Sequence, residues 1–372
     1  MVFAKNDVSY PVQAIFNRPI PMLPLDDRNN PSFVSDLFWA RWTVFEMREL
    51  TPPSIAASWY NTFMFDEDRI RNATSLSNVE VHDELGSTND RAIELIKQNA
   101  TAFPAAIVTL CQTSGRGQRH RQWWSTEGSL TFSWLQTLSL STAGIAHSSN
   151  SRRIPPNRAP TNSVAEALRL LPLAAGLAVA ESIESISGLP DVKIKWPNDI
   201  LIGDRKVAGI LIESVVSSLG PAVVVGVGIN VNNQSFSPIK LQNPESHNSR
   251  TVPPTSLMME SGKQTSLESL LIDTLNRIGV EFAALPISPD LIVARCNARL
   301  AFMDTRVVLE SLAKPIADGI CVGISSDGGL ILQPSSGSSI ISPSNDPSSG
   351  ESPLIESTPK QRTFFSGSLR PA

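Results

Sequence analysis

A chain of 372 residues that is 41% hydrophobic can bury one large core or two smaller ones, because domains usually hold roughly 100 to 200 residues. Its formal net charge of −4 excludes the overall basic field of a general nucleic-acid binder. Three cysteines, Cys111, Cys296 and Cys321, are odd in number and lack metal-ligand spacing, which argues against a disulfide framework or a zinc site and for a reducing cytoplasm. No basic region precedes an apolar run at the start, and about 18 consecutive apolar residues occur nowhere, so neither secretion nor membrane crossing is expected.

Residues 1–77 mix Pro, Asn, Asp and aromatic residues without a sustained period, apart from an amphipathic helix expected over Ser35 to Leu50 with Ser35 as N-cap. They give no functional reading. A strand-like run at Val79 to His82 leads into Ser87-Thr88-Asn89-Asp90 and the helical pattern RAIELIKQNA. The hydroxyls of Ser87 and Thr88 suit a helix N-cap, and the same turn could equally aim hydroxyl and amide groups at a small polar ligand.

Ala105 to Leu110 reads as a buried strand that enters the loop QTSGRGQRHRQWWSTEGS before a second strand, Leu130 to Leu135. The loop is neither a Walker A loop nor a Gly-x-Gly-x-x-Gly fingerprint. Gly115 and Gly117 would let backbone N–H groups approach a phosphate, and Arg116, Arg119 and Arg121 could clamp its oxygens. A solvated basic loop is the plainer alternative. A Ser-, Asn- and Pro-rich insertion over about 139–163, with His147 exposed, is expected to carry no chemistry.

The helix LPLAAGLAVAESIESISG is expected to start near Pro172 and stop at Gly188, with Leu173, Leu177, Ala180 and Ile183 on one face. Val192 to Trp196 then forms a strand ending at Pro197. Asp199 to Ile202, Lys206 to Ser214 and Ala222 to Asn230 follow as an antiparallel meander with short turns. The class is therefore α+β, with one sheet face covered by helices and the other free to form a site. After a second flexible stretch, about 232–265, SLESLLIDTLNRIGVEFAAL is an amphipathic helix. Short β-branched runs to Pro334 make a small β module, and the Ser- and Pro-rich tail from Ser335 is expected to be disordered.

Six ordered pieces carry a resemblance: Ser87-Thr88-Asn89, Gln112 with GRGQRHRQW, KWPNDI, DRKVAGILIES, GVGIN and GISSDGGLIL. From about Val79 to Pro334 the chain resembles the biotin protein ligases. The resemblance implies a mixed, largely antiparallel sheet flanked by helices, of the class II aminoacyl-tRNA synthetase type, followed by a small SH3-like β barrel. It divides the chain into an extension (1–77), a catalytic domain (78–295), a small β domain (296–334) and a disordered tail (335–372).

The implied activity is that of a biotin-[acetyl-CoA-carboxylase] ligase, in which ATP, with Mg²⁺, activates biotin as biotinyl-AMP and a carrier-protein lysine then takes the acyl group. Lys195 and Arg116 would be catalytic. Ser87, Thr88, Asn89, Gln112, Arg116, Gly117, Gln118 and Lys195 would hold biotin. Gly115, Arg119, Arg121, Trp123, Asn198, Lys206, Gly228 and Asn230 would hold the nucleotide, although Lys206 could equally be a solvated charge. No protein-held metal is implied. Cys111 reads as a small buried residue. The implied partners are a biotin carrier domain and a second copy of the chain in a homodimer, without nucleic acid or membrane.

The sequence departs from the family's loop pattern G-R-G-R-x-G-R-x-W at Gln118 and His120. A neutral amide lacks arginine's charged bidentate clamp, so looser retention of the adenylate is expected unless Arg119 or Arg121 takes over. Lipoate ligation shares the chemistry implied, but KWPND with GVGIN favours biotin. A biotin-responsive regulator would need a helix-turn-helix, which residues 1–77 do not show, and intact Lys195 and Arg116 argue against an inactive binding module.

Overall fold

The computed structural model describes residues 65–118, 121–138, 164–236, 252–311, 314–334 and 361–372. The helix expected over Ser35 to Leu50, the insertion with His147, and Arg119 and His120 lie outside them. Helix α1 (Glu67–Ala73) is capped by Asp66, whose carboxylate accepts from the N–H of Arg69 at 3.0 Å. Strand β1 (Asn78–Leu85) precedes helix α2 (Thr88–Gln98), followed by β2 (Ala105–Gln112) and β3 (Ser129–Thr137). Helix α3 (Val164–Ser187) leads to β4 (Val192–Lys195), β5 (Asp199–Ile202), β6 (Arg205–Ser217) and β7 (Gly220–Asn230).

These strands form one sheet in the order β1-β2-β3-β7-β6-β5-β4, antiparallel except for β1 with β2. Alternation along each strand sorts its side chains between two faces. Val223, Val225, Val227 and Ile229 of β7 join the main core with Leu130, Phe132 and Trp134 of β3. Helices α3 and α5 (Leu267–Ala284) contribute Leu177 and Leu271 to that core.

The opposite face, expected to be free to form a site, is free only in part. Helix α2 covers one part of it, burying Ala92, Leu95 and Ile96 on Ile107, Leu135 and Val224. Beyond α2 the same face continues as Thr131, Ser133, Gly209, Gly226 and Gly228, too small to fill the space above the sheet.

Helix α3 begins eight residues before Pro172, so Pro172 lies inside it and not at its first turn. The hydrogen bond that Pro172 cannot donate is outweighed by its neighbours Leu170, Leu171 and Leu173, each buried at 1% exposure and each worth about 2 kcal/mol. By length and apolarity α3 could cross a membrane, but it is the central helix of this core.

After α4 (Leu257–Ser261), α5 and α6 (Pro289–Ala298), strands β8 (Arg306–Ser311), β9 (Lys314–Ile324) and β10 (Leu330–Gln333) form a second sheet with β11 (Arg362–Phe364) and β12 (Ser368–Pro371). Its order is β11-β10-β9-β8-β12. The expectation of a closed SH3-like barrel is therefore wrong. β11 and β12 form opposite edges without pairing, and Phe365 to Gly367 carry the chain from one edge to the other.

The same strands correct the expectation of a wholly disordered tail. β12 pairs with β8 over four residues, and Leu369 is buried. Gly367 has φ +151° and lies so close to β8 that a Cβ there would stand 2.2 Å from Leu309 Cδ1, which favours glycine at this crossing.

Two ties hold the first sheet to the C-terminal part of the chain. Ile194 of β4 donates to Arg299 O at 2.8 Å and accepts from Ala301 N–H at 2.9 Å. The indole of Trp196 donates to Gly328 O at 3.0 Å, so the GISSDGG turn of the second sheet grips the KWPND corner of the first.

Candidate active site

Above the small-residue face lies a cavity of about 130 Å³. Its floor follows from strand alternation, since Gly226 and Gly228 fall on the side away from the main core. A Cβ on Gly226 would stand 2.2 Å from Asn89 Oδ1, and one on Gly228 would stand 2.2 Å from Trp123 Cε2. Each glycine of the GVG run therefore seats one functional side chain. Gly209 pairs with Gly228 in register and widens the seat for the indole.

At one end Ser87 caps α2, its hydroxyl accepting from Asp90 N–H at 3.4 Å, while the hydroxyl also lines the cavity. The capping reading of that turn is therefore met, and the turn also borders the cavity. Gln112 Oε1 accepts from Thr88 N–H at 2.8 Å and from its hydroxyl at 3.2 Å. The hydroxyl of buried Ser133 lies 2.8 Å from Thr88 Oγ1 and 2.6 Å from Asn89 Oδ1. Such a satisfied buried network is rigid and presents donors and acceptors in fixed directions.

The basic loop turns back on itself. Gly117 N–H donates to Arg121 O at 2.6 Å and Trp123 N–H to Gly115 O at 3.0 Å. Arg116 makes a two-pronged pair with Glu213 of β6, at 3.0 and 2.8 Å, and a 2.6 Å contact with Asp90. The hydrogen bonds to Glu213 raise the Arg116 pKa further, against the opposing effect of burial.

At the other end Lys195 and Lys206 share one carboxylate. Lys195 Nζ lies 2.8 Å from Asp199 Oδ2, and Lys206 Nζ lies 2.5 Å from Oδ1. Burial alone would raise the Asp199 pKa, but the two ammonium groups override it and hold the carboxyl well below its usual range. Lys206 is therefore not a solvated surface charge. Its ammonium also stands 5.9 Å from the centre of the Trp123 ring.

Of the residues singled out from the sequence, Ser87, Thr88, Asn89, Gln112, Arg116, Gly117, Gln118, Arg121, Trp123, Lys195, Asn198, Lys206 and Gly228 all line this cavity. Gly115 lines the adjoining groove of about 860 Å³. Asn230 turns away, its amide donating to Thr255 O at 2.9 Å, and Arg119 lies outside the described residues. Asn198 lines the cavity while its amide braces Ile210 O at 2.8 Å.

Sequence reasoning missed Asp199, Glu213, Ser133 and the C-terminal Gly367 and Ser368, of which all but Glu213 and Ser133 line the cavity. The face-sorting period of two could have found Ser133 and Glu213, which share a face with Gly209 and Gly226. Nothing in the sequence near Gly367 signals its distant position.

Residues 83–230 match the family described as Biotin/lipoate A/B protein ligase family. The biotin--[acetyl-CoA-carboxylase] ligase of Paracoccus denitrificans is 30% identical over 260 residues, 68% of this chain and 94% of that protein. The bifunctional ligase/repressor BirA of Bacillus subtilis is 36% identical over 154 residues, but the match spans only 40% of its length and 41% of this chain. Among solved structures, the biotin protein ligase of Aquifex aeolicus in complex with biotin and ATP superposes with a TM-score of 0.56 at 24% identity. It covers 80% of this chain and 100% of its own, a likeness of fold. The near-complete span of the Paracoccus protein, with the sheet order and the glycine-seated cavity above, places this chain in the biotin/lipoate A/B protein ligase family.

Proposed function

We propose that the chain is an ATP-dependent biotin ligase that forms biotinyl-AMP and passes the biotinyl group to a lysine of a carrier domain, such as that of acetyl-CoA carboxylase. One observation carries the reading: a single cavity has a neutral donor–acceptor network at one end and a pair of lysines around one buried aspartate at the other. The first suits a ureido ring, which both donates and accepts, and the second suits phosphates. The activity for which the Paracoccus relative is named and the biotin and ATP of the Aquifex complex support the same assignment.

In the first step a biotin carboxylate oxygen bonds to the α-phosphorus of ATP as the bond to pyrophosphate breaks. Two negative groups must meet, and negative charge spreads over the transferring oxygens. Lys195 and Lys206, both anchored on Asp199, line the cavity and suit the stabilisation of that charge. Arg116 has its guanidinium committed to Glu213 and Asp90, so its share in catalysis is to fix the loop whose Gly117, Gln118, Arg121 and Trp123 line the cavity. In the second step the neutral amine of the acceptor lysine attacks the acyl carbon and AMP leaves, so no nucleophile from this chain is needed.

Magnesium would come bound to the nucleotide phosphates, where it neutralises charge. The described residues hold no group of three or more His, Cys, Asp or Glu to bind it independently. Gln118 lines the cavity where the family pattern has arginine, which supports a looser hold on the adenylate than a Gln118→Arg variant would have.

The test is incubation with ATP, Mg²⁺ and a biotin carrier domain, with labelled biotin in one arm and labelled lipoate in the other. Labelling from biotin alone is expected, and Lys195→Ala should slow it about 10²- to 10³-fold. Labelling from lipoate alone, or an undiminished rate in Lys195→Ala, would overturn the assignment.

A further inference from the structure

Glu213 stands between two parts of the site that lie far apart in sequence. Its Oε1 accepts from Arg116 Nη1 at 3.0 Å, and its Oε2 accepts from both Arg116 Nη2 and Asn89 Nδ2 at 2.8 Å. Asn89 is only 3% exposed, and its Oδ1 is engaged by Ser133 at 2.6 Å. The carboxylate therefore decides which way the Asn89 amide faces, because a carboxylate accepts and cannot donate. The same group holds the basic loop through a bidentate charged pair, the stronger kind of hydrogen bond.

We infer that Glu213 is a positioning residue that sets the basic loop in register with the polar end of the cavity, acting through Arg116 on one side and Asn89 on the other. Gln112, Thr88, Ser133, Asn89, Glu213 and Arg116 form one continuous chain of contacts. A shift of the loop is thereby coupled to the groups we assign to biotin, and a shift of Asn89 is coupled to the loop. Glutamine at 213 fills the same space but must turn its N–H₂ either toward Arg116 Nη1 or toward Arg116 Nη2 and Asn89 Nδ2 together, all donors, so it breaks one arm of the pair and removes the charge from the other.

The inference rests on the proposed function only for what the cavity binds, so its primary readout uses no substrate. Trypsin cleavage after Arg116 and Arg121 in the full chain, followed by mass spectrometry, reports release of the loop. Glu213→Gln should be cut about tenfold faster than wild type, because opening no longer breaks a charged bidentate pair. Wild type should be cut faster in 1 M KCl, which screens partly exposed pairs, while Glu213→Gln should be nearly indifferent to salt. The salt arm needs no variant to fold.

The second readout is the split between KM and kcat. Glu213→Gln should raise the biotin KM more than it lowers kcat at saturation, whereas general destabilisation would reduce the active fraction and leave KM alone. Cleavage of Glu213→Gln at the wild-type rate, or acceleration by salt equal to that of wild type, would overturn the inference whatever the activity assay shows. Normal coupling by trypsin with no biotinylation would overturn the proposed function alone.

Discussion

Asp199 holds two lysines with its two oxygens in a site where its own charge would otherwise be costly to bury. The triad keeps one net positive charge on the protein, and both ammonium groups face the cavity. Replacing Asp199 by Asn leaves two buried or half-buried cations sharing a neutral acceptor, which strengthens their mutual repulsion and frees both side chains. Because the folded-state pKa lies below the ordinary carboxylate value of 3.8, the stabilisation by Asp199 is fully present above that value and is lost as pH falls through the depressed one. Asp199→Asn is therefore expected to be less stable than wild type at pH 7, with the gap narrowing below about pH 4. Urea unfolding at pH 7 and pH 3 checks this, and a gap that stays constant between them would contradict the account.

At the scale of elements, the sheet was legible where a strand's pattern is local. The runs from Val192 to Asn230 announced the meander because each apolar run and the short turn that ends it lie within a strand's own neighbourhood. What the strands do to one another was not legible. The pair Gly209 and Gly228 becomes a seat for Trp123 only once β6 and β7 are in register, and Glu213 finds Arg116 across 97 residues.

The C-terminal strands were hidden for a related reason. RTF and SLRP are too short to read as strands alone, and they acquire that conformation from β10 and β8. The register makes a specific demand: Gly228→Val must displace the indole, whose Cε2 would lie 2.2 Å from the new Cβ. The ATP KM should rise about tenfold or more, with less change in the biotin KM because Asn89 rests over Gly226. Equal changes in both constants, read from initial rates of carrier labelling, would show that the two glycines do not seat separate functions.

For the whole molecule, the question is whether the two sheets are separate bodies or one. Leu309, Cys321, Leu330 and Leu369 of the second sheet belong to the same continuous core as Ile194 of β4, Leu173 of α3 and Trp196 just after β4. Arg295 reaches Glu181 of α3 and Glu281 of α5, and Arg299 reaches Glu184, so α6 is pinned to the large domain by ion pairs at 2.6 to 2.7 Å. A domain boundary drawn near residue 295 from the sequence thus runs through shared packing. Two buried thiols report on the two sides. Cys296 sits in α6 with its pKa pushed up to about 12 chiefly by burial, and Cys321 sits in β9 with its pKa pushed up to about 11, again chiefly by burial. Neither should react with an alkylating agent until its surroundings open. Pulsed alkylation along a urea gradient, with the modified peptides resolved by mass spectrometry, is expected to give one midpoint for both thiols, as a single cooperative unit requires. Leu369→Ala, which removes a side chain 1% exposed at the edge of the second sheet, should cost about 3 kcal/mol and lower both midpoints together. If Cys321 became reactive at lower urea while Cys296 stayed protected, the shared core would not couple the sheets, and the GISSDGG grip on Trp196 would be a contact between independent domains.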